Sequence, residues 1–203
     1  ATDGGNLIVE AAEYEAVAAD PVAAKYLRPF RMGRELIRGL DRWCLWMAES
    51  FDPADIGRSE ILKTRIEAVR VMRLASKKKA TQNSATTPYL FQENHQPSVP
   101  YVGIPCVVSE TRLFYTAAHL SPDVIAGNKV YTAADPDGLL FGLISSSMFI
   151  TWQRAVGGRL KSDLNFANTL TWNTFPVPEL DDKTRQRVID AGKKVLAARE
   201  LHP

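Results

Sequence analysis

The residues whose types and spacing most clearly suggest chemistry are cations that recur along one segment of the chain. Lys63, Arg70 and Lys77 lie seven residues apart, and Arg73 falls between the last two. On a helix, residues seven apart share a face. A row of basic side chains on one face is typical of a surface that binds a polyanion. The alternative is a solvated cationic helix face that has no partner.

The distribution of charge along the chain bears on this choice. The formal net charge is only +2, but Lys25–Lys79 holds 14 Lys and Arg against 7 Asp and Glu, which gives this segment +7 and leaves −5 for the rest. The segment ends in three consecutive lysines, Lys77, Lys78 and Lys79. Such asymmetry predicts that one face of the N-terminal half meets a polyanion.

Residues for catalysis or metal binding do not come together in the sequence. His95, His119 and His202 are scattered, and Cys44 and Cys106 have no partner at a metal-ligand spacing. The sequence contains neither a phosphate-binding P-loop nor a glycine-rich dinucleotide motif. We therefore expect no catalytic site, metal or cofactor in this chain. We expect both cysteines to be buried free thiols of a protein from a reducing cytosol.

Two further features bear on the class of protein. The chain begins at Ala1 without a methionine or a cleavable leader, so we expect a piece of a longer, non-secreted protein. The longest apolar run, Leu139–Trp152, is interrupted by glycine, serine and threonine. We therefore expect a buried helix there and no membrane span.

The cations lie on the clearest predicted helix, Ser59–Lys78. Ser59 is a favourable N-cap, and Leu62, Ile66 and Val69 form an apolar stripe at helical spacing. One face of this helix is therefore expected to pack against a core while the adjacent face carries the positive charge.

The other segments predict a mixture of short strands and helices. The predicted elements are helical turns in Ile8–Ala24 started by Asp20-Pro21, extended segments in Arg31–Trp46 around a Gly39–Asp41 turn, a loop at Ala80–Thr87, strands at Tyr101–Val108, Arg112–Ala117 and Val124–Ala133, and helices at Asp137–Val156 and Asp181–Leu201. This order predicts an α+β fold. We place a mixed strand and helix domain at residues 1–128 and a mainly helical C-terminal subdomain at residues 129–203.

Several segments, in their order along the chain, also carry a resemblance to a known family. They are Asp3–Ile8, Arg42–Trp46, Arg73–Lys78, Ile104-Pro105 with Ser109–Arg112, Phe141–Met148, and Gly157–Asp163 with Asn173–Pro176. Together they resemble the target-recognition and C-terminal regions of MmeI-like (type IIL) restriction-modification enzymes and related class I DNA methyltransferases. The chain departs from the family at Cys106, where arginine is usual, and at Thr111-Arg112, where the family has a basic pair.

The resemblance implies a bacterial, cytoplasmic parent enzyme that methylates the amino group of adenine with S-adenosylmethionine. In type IIL members a nuclease is fused at the N-terminus as well. The Asn/Asp-Pro-Pro-aromatic motif of such methylases is absent here, because Asn173–Pro176 lacks the two adjacent prolines. The implied role of this chain is therefore to recognise duplex DNA for an upstream methyltransferase domain that carries the cofactor.

Within that resemblance, Ser109–Phe114 is the segment that sets the recognised bases. Glu110 could accept a hydrogen bond from a cytosine amino group, and Arg112 could bind guanine in a bidentate manner. Phe114 follows the same alternation on the predicted strand and could contact a thymine methyl group. A surface ion pair between Glu110 and Arg112, and a core position for Phe114, are the alternatives. Ser76 is a weaker candidate for base contact.

Other cations are assigned to phosphates, which provide affinity without reading the sequence. The predicted phosphate-binding residues are Lys63, Arg70, Arg73, Lys77, Lys78, Lys79, Arg159 and Lys161. For Arg159 and Lys161 the alternative is capping of the preceding helix. The hypothesis requires Lys77, Glu110 and Arg112 to be exposed on a shared surface. A protein-interaction or scaffold module with a basic face is the competing hypothesis, and a small enzyme with an unrecognised site is a third.

Overall fold

The computed structural model describes residues 3–201, so Ala1, Thr2, His202 and Pro203 lie outside the described residues. The α-helices are α1 (Tyr14–Ala19), α2 (Gly33–Arg38), α3 (Asp55–Arg58), α4 (Glu60–Leu74), α5 (Lys79–Asn83), α6 (Leu139–Ile144), α7 (Ser147–Val156) and α8 (Asp182–Glu200). The strands are β1 (Ile8–Val9), β2 (Leu27–Arg31), β3 (Trp43–Leu45), β4 (Tyr101–Pro105), β5 (Val107–Val108), β6 (Ala118–Leu120), β7 (Ile125–Ala126), β8 (Val130–Ala134), β9 (Gly158–Leu160) and β10 (Asp163–Asn165). The mixture of helices and small sheets confirms the predicted α+β fold.

The chain divides into two compact units. The first comprises the chain up to Arg31, Asp41–His95 and Asp123–Ile125, and the second comprises Met32–Leu40, Gln96–Pro122 and the chain from Ala126 onward. This division differs from the predicted boundary between residues 128 and 129. Strand β4 pairs with β6 before that boundary and with β8 after it, so one sheet includes residues from both sides.

The first unit is organised by a sheet with strand order β1-β3-β2-β7. Strand β3 is antiparallel to both β1 and β2, and Cys44 at its centre faces Ile8 on one side and Arg28 on the other. Cys44 is a free, fully buried thiol, as the sequence predicted, and burial raises its pKa. Cys106, in the second unit, is also free but only half-buried.

Helix α4 packs into the core of the first unit through the predicted stripe. Leu62, Ile66 and Val69 are buried, and the hydroxyl oxygen of Ser59 accepts a hydrogen bond from the Leu62 amide at 3.1 Å. The predicted cap and packing face are therefore confirmed. The helix ends at Leu74, four residues earlier than predicted, and the chain re-enters a helix at α5 where a loop was expected.

Asp20 begins the second helical turn of the first unit, as predicted. Its carboxylate accepts hydrogen bonds from the amides of Val22 and Ala23 at 2.9 and 3.0 Å and from the Ser59 hydroxyl at 2.6 Å. One carboxylate thus caps the short helix Ala23–Tyr26 and also positions the residue that caps α4.

The core of the second unit surrounds β4, whose five residues are all buried. Helix α7 contributes Phe149 and Ile150 to this core, and the Phe149 ring packs edge-on against the ring of Tyr115 at 5.6 Å. The smaller sheet β5-β10-β9 contributes Leu164, which is also buried. Apolar residues from helix and strand therefore form one continuous core in this unit.

Helices α6 and α8 of the second unit approach each other closely at two glycines. A Cβ added to Gly142 would lie 2.8 Å from the Val188 carbonyl oxygen, and one added to Gly192 would lie 3.2 Å from the Gly142 Cα. The tail helix starts as predicted, since the carboxylate of Asp181 accepts a hydrogen bond from the Thr184 amide at 2.6 Å. Ile189 is its buried apolar contact, whereas Val195 is exposed.

Predictions of secondary structure are wrong at two helical segments of this unit. The segment expected to be extended after Arg31 contains α2, which ends at Gly39 in the left-handed conformation. The single helix predicted for Asp137–Val156 is two helices, because the Ser146 hydroxyl accepts a hydrogen bond from the Phe149 amide at 3.1 Å and starts α7. No helix among residues 3–201 is long and apolar enough to cross a membrane.

Candidate nucleic-acid interface

The lysines that follow α4 form an exposed cationic group of the first unit. Lys77, Lys78 and Lys79 are all exposed, and within residues 3–201 none of them pairs with a carboxylate. The Ser76 hydroxyl oxygen accepts a hydrogen bond from the Lys78 amide at 3.2 Å, and the Ser76 carbonyl accepts one from the Gln82 side chain at 2.8 Å. These bonds shape the turn between α4 and α5, so the three ammonium groups project from an ordered segment.

Two predicted phosphate-binding residues on α4 are exposed but paired with acids on the same helix. The Lys63 ammonium lies 3.3 Å from the Glu60 carboxylate, and the Arg70 guanidinium binds both oxygens of Glu67 at 2.8 and 2.7 Å. The hydrogen bond from Arg70 lowers the pKa of the Glu67 carboxyl below its ordinary value. Exposed pairs of this kind contribute little to stability, so an incoming phosphate can compete for either cation.

Arg73 was predicted to bind phosphate, and this prediction is wrong. Its side chain is fully buried, and its guanidinium donates hydrogen bonds to the carbonyls of Ser84, Thr87 and Leu90 at 2.8, 3.0 and 2.6 Å. Burial also lowers the pKa of the guanidinium. The reason is its helical position: Arg73 follows Val69 by four residues and so continues the apolar stripe. Arg73 ties the segment after α5 to the helix.

In the second unit, the segment predicted to read bases is a turn. The Arg112 amide donates to the Ser109 carbonyl at 3.1 Å, and the Glu110 amide donates to the Asp163 carboxylate at 3.4 Å. Ser109–Thr111, the interval between two predicted strands, is therefore a turn. The predicted strand at Arg112–Ala117 is absent, because Tyr115 is buried and donates its hydroxyl proton to the Pro105 carbonyl at 2.8 Å. The chain therefore folds inward directly after the turn.

The side chains of this turn project outward. Glu110 and Arg112 are exposed, and so are Leu113 at 76% and Phe114 at 52%. The alternative core position for Phe114 is therefore wrong. The alternative ion pair between Glu110 and Arg112 is also not found among the described residues. The Glu110 carboxylate lies instead 3.7 Å from the Arg159 guanidinium.

Arg154 supports the backbone of the turn, and the sequence analysis missed it. Its guanidinium donates to the carbonyls of Glu110 at 3.3 Å and of Arg112 at 2.7 Å. A rigid, planar donor group that binds two carbonyls of one turn limits the conformations of the backbone between them. The signal in the sequence was slight: a lone cation in the last turn of the helix, four residues after Ile150.

Arg159 and Lys161 lie on the hairpin that joins β9 and β10. The Arg159 guanidinium donates to the Ser162 carbonyl at 2.9 Å, and Lys161 adopts a positive φ of 58° at the hairpin turn. Neither arrangement is the predicted alternative of capping α7, whose last turn is closed by the Gly157 amide donating to the Gln153 carbonyl at 2.9 Å. Both side chains are exposed, and the Arg159 guanidinium is engaged by Ser162 and Glu110.

Gly157 is required where α7 meets this hairpin. A Cβ at this position would lie 1.9 Å from the Gln153 side-chain nitrogen. That nitrogen donates to the Asn165 carbonyl on β10 at 3.1 Å. The glycine thus lets a buried glutamine cross from the helix to the strand that carries Asp163, and Asp163 in turn holds Glu110.

Residues suited to metal binding are not brought together in the part of the chain that the structure describes. No group of three or more His, Cys, Asp or Glu residues within residues 3–201 could hold a metal ion. His119 contacts the Asp135 carbonyl at 2.6 Å, and the Asp135 carboxylate accepts from the amides of Leu140 and Phe141, both at 2.9 Å. These residues build the start of α6.

Comparisons with known proteins identify the family of this chain. A family model of the MmeI target recognition domain matches residues 1–179. DNA methyltransferase A of Bacillus subtilis (strain 168) is 33% identical over 199 residues, which cover 98% of this chain and 22% of that protein. The structure of the type IIL restriction-modification enzyme MmeI in complex with DNA matches all of this chain with a TM-score of 0.90 and 35% identity, over 27% of its own length. The chain thus spans about a quarter of the length of these relatives. It belongs to the family of MmeI target recognition domains.

Proposed function

We propose that this chain recognises a specific DNA sequence on behalf of a restriction-modification methyltransferase. The observation that carries the proposal is the pair Glu110 and Arg112, exposed on a turn whose backbone is held by Arg154. The MmeI relative, whose structure was solved in complex with DNA, supports it. A carboxylate and a guanidinium on one fixed turn offer an acceptor and a bidentate donor to the edges of two base pairs.

In this proposal the two side chains bind different bases. Glu110 accepts a hydrogen bond from a cytosine amino group, and Arg112 donates to the two acceptors on guanine. Phe114, exposed two residues later, provides an apolar surface for a thymine methyl group. Arg159 lies 3.7 Å from Glu110 and restrains its carboxylate before DNA arrives. Ser76 remains a weaker candidate, because its hydroxyl already accepts from the Lys78 amide.

Affinity comes from the cations that contact the backbone of the same duplex. In this proposal the phosphate-binding residues are Lys63, Arg70, Lys77, Lys78, Lys79, Arg159 and Lys161. The lysines after α4 need no rearrangement, whereas Lys63 and Arg70 must exchange a carboxylate for a phosphate. Such contacts fix the position of the protein on the duplex and carry no sequence information.

The chemistry of the whole enzyme belongs to segments other than this chain. We propose a bacterial, cytoplasmic parent that methylates the adenine amino group with S-adenosylmethionine. A parent of the type IIL kind would also carry a nuclease at its N-terminus. The chain offers neither a glycine-rich loop leading from a strand into a helix nor the Asn/Asp-Pro-Pro-aromatic motif. We therefore assign the cofactor to the upstream methyltransferase domain. A target adenine would leave the base stack to reach that domain.

Selection of bound sequences from a library of randomised duplexes tests the proposal. The wild-type chain should enrich one sequence, and Glu110→Ala should change the enriched bases at a single position while binding random duplex with unchanged affinity. Glu179→Ala removes an exposed acid elsewhere in the same unit and should leave the selected sequence unaltered. Equal retention of all duplexes by the wild-type chain would contradict the proposal.

The competing function is a protein-interaction or scaffold module with a basic face. It predicts salt-sensitive binding to acidic proteins and no preference among DNA sequences. The same selection experiment separates the two functions, because only base reading enriches a sequence.

A further inference from the structure

A groove beside the turn that carries Glu110 is lined by two arginines to which no role has been assigned. Arg34 and Arg38, with Ile37 between them, lie on α2 and form one wall of a groove of about 460 Å³. Strand β5 and Ser109 form the rest of the wall, and Asp163 completes it. All of these residues belong to the second unit, so the groove is a feature of one compact body.

The two guanidinium groups are available to a ligand. Arg34 and Arg38 are exposed, and within residues 3–201 neither forms a salt bridge. Glu35, between them in the sequence, is buried and turns back to accept a hydrogen bond from the Met32 amide at 3.2 Å. It therefore caps the helix and does not neutralise either arginine.

Asp163 is the one acid among the residues that line the groove. Its carboxylate accepts the hydrogen bond from the Glu110 amide at 3.4 Å. Two arginines against one engaged carboxylate leave the groove with a net positive charge. The groove therefore favours an anion that can bind two guanidinium groups.

The position of the groove indicates which anion that is. A turn that reads base edges lies in the major groove, which is about 12 Å wide and bordered by phosphates on both sides. Ser109 both lines the groove and begins the turn that displays Glu110 and Arg112. Cations this close to base-reading residues therefore lie where a DNA strand must pass.

The spacing of the arginines agrees with this. Residues four apart on a helix have Cβ atoms roughly 5–6 Å apart, and each DNA strand carries a phosphate for about every 3.4 Å of helix axis. Two extended guanidinium groups can thus bind separate phosphates of one strand.

We infer that Arg34 and Arg38 form a phosphate-binding subsite for the DNA strand that borders the bases read by Glu110 and Arg112. The inference rests on the proposed function, since it takes duplex DNA as the ligand. It adds a second group of contacts to the DNA backbone, besides those of the lysines that follow α4. This second group lies on the same compact unit as the turn that carries Glu110 and Arg112.

The experiment measures duplex binding by the 203-residue chain as a function of salt, using the sequence selected by the wild-type chain. Arg34→Gln/Arg38→Gln removes both charges from the exposed face of α2 and keeps the helical propensity. The logarithm of the affinity falls with the logarithm of the salt concentration by about 0.9 per phosphate contact, so the slope should decrease by about 1.8. At about 0.1 M salt this corresponds to a loss of affinity of about 60-fold.

Two matched variants serve as controls. Lys193→Gln/Lys194→Gln removes two charges from exposed positions of α8 in the same unit and should leave the salt slope unchanged. Arg34→Lys/Arg38→Lys keeps the charge and should retain most of the slope. Thermal unfolding confirms that each variant is folded.

The outcomes distinguish this inference from the proposed function. A wild-type chain that binds no duplex overturns both. A wild-type chain that selects a sequence, together with an unaltered slope in Arg34→Gln/Arg38→Gln, overturns only the subsite. A changed selected sequence in that variant also overturns it, because phosphate contacts carry no sequence information.

Discussion

Replacement of Arg73 by methionine should destabilise the first unit, although the same position looked like a DNA contact in the sequence. The change removes a buried guanidinium that donates to the carbonyls of Ser84, Thr87 and Leu90. Each hydrogen bond to a charged group contributes about 1.5–3 kcal/mol. Methionine regains part of this by filling the space with apolar atoms, and water can reach some of the carbonyls, so we expect a net loss of about 3–5 kcal/mol.

This loss would be a large part of the total stability, since domains unfold with about 5–15 kcal/mol. For a chain of this size, thermal unfolding should begin roughly 10 °C earlier. Urea denaturation followed by circular dichroism measures the change, and limited proteolysis reports whether the segment Ser84–Leu90 opens first. Because Arg73 is buried, the salt dependence of DNA binding under folding conditions should not change.

Arg70→Met is the matched control on the same helix. Its guanidinium is half-exposed and paired with Glu67, so stability should change little while the salt slope decreases by about 0.9. The reverse pattern would refute the reasoning: unchanged stability and weakened binding in Arg73→Met would mean that the guanidinium leaves its carbonyls to meet phosphate.

Three further predictions concern other contacts of the fold. Arg154→Met should loosen the turn and reduce the ratio of affinities for the selected and random duplexes several-fold, with random binding and thermal unfolding nearly unchanged; an unchanged ratio would show that the turn holds itself. The hydrogen bond from Lys25 is the main cause that lowers the pKa of Asp55 below its ordinary value of 3.8. The ionised carboxylate therefore stabilises the fold at pH values above 3.8. This stabilisation is lost as the pH falls through the lower pKa of the folded state. Asp55→Asn should therefore be less stable than the wild type near neutral pH in urea titrations, and the gap should narrow below about pH 4; a gap that widened in acid would contradict this. Gly142→Ala should lower the free energy of unfolding by about 1–3 kcal/mol, because its Cβ would lie 2.8 Å from the Val188 carbonyl oxygen. Gly57→Ala, whose Cβ would meet nothing within 4 Å, should be neutral or stabilising. Equal melting temperatures of the two variants would argue against the close approach of α6 and α8.

The parts of the fold that the sequence predicted are those governed by local patterns. Helix α4 has an apolar stripe and a serine cap, and α8 has an aspartate cap and a single packing face, so both starts were predicted to within one residue. These signals act within one or two turns of the helix. The chemistry of a cap depends on residues three apart, which are visible in the sequence.

The parts that escaped prediction depend on contacts between distant residues. Helix α2 has six residues, too few for an apolar period to be recognised. The absence of a strand after Arg112 follows from the anchoring of Tyr115 to the Pro105 carbonyl, ten residues away in sequence. A serine run split the helix predicted for Asp137–Val156, and propensity alone does not fix where a cap forms.

The candidate site shows the same division. The types of residues in the reading turn pointed to base contact, but their orientation was derived from a strand that does not exist. Arg73 carried a readable signal, since its spacing from Val69 continues the apolar stripe, and the seven-residue period of the cations obscured it. The partners of Arg154 could not be predicted from the sequence, because they are carbonyls more than forty residues earlier in the chain.

The two hydrogen bonds of Arg154 also bear on how target recognition domains of this family diverge. Arg154 holds the turn through backbone oxygens, which every amino acid carries, so the geometry does not depend on which side chains occupy residues 110–112. Related domains can therefore carry different side chains at these positions, changed one at a time, while the backbone of the turn keeps its shape. A substitution of Glu110 would remove its ion pair with Arg159. That contact lies at the surface, where its loss costs the fold little.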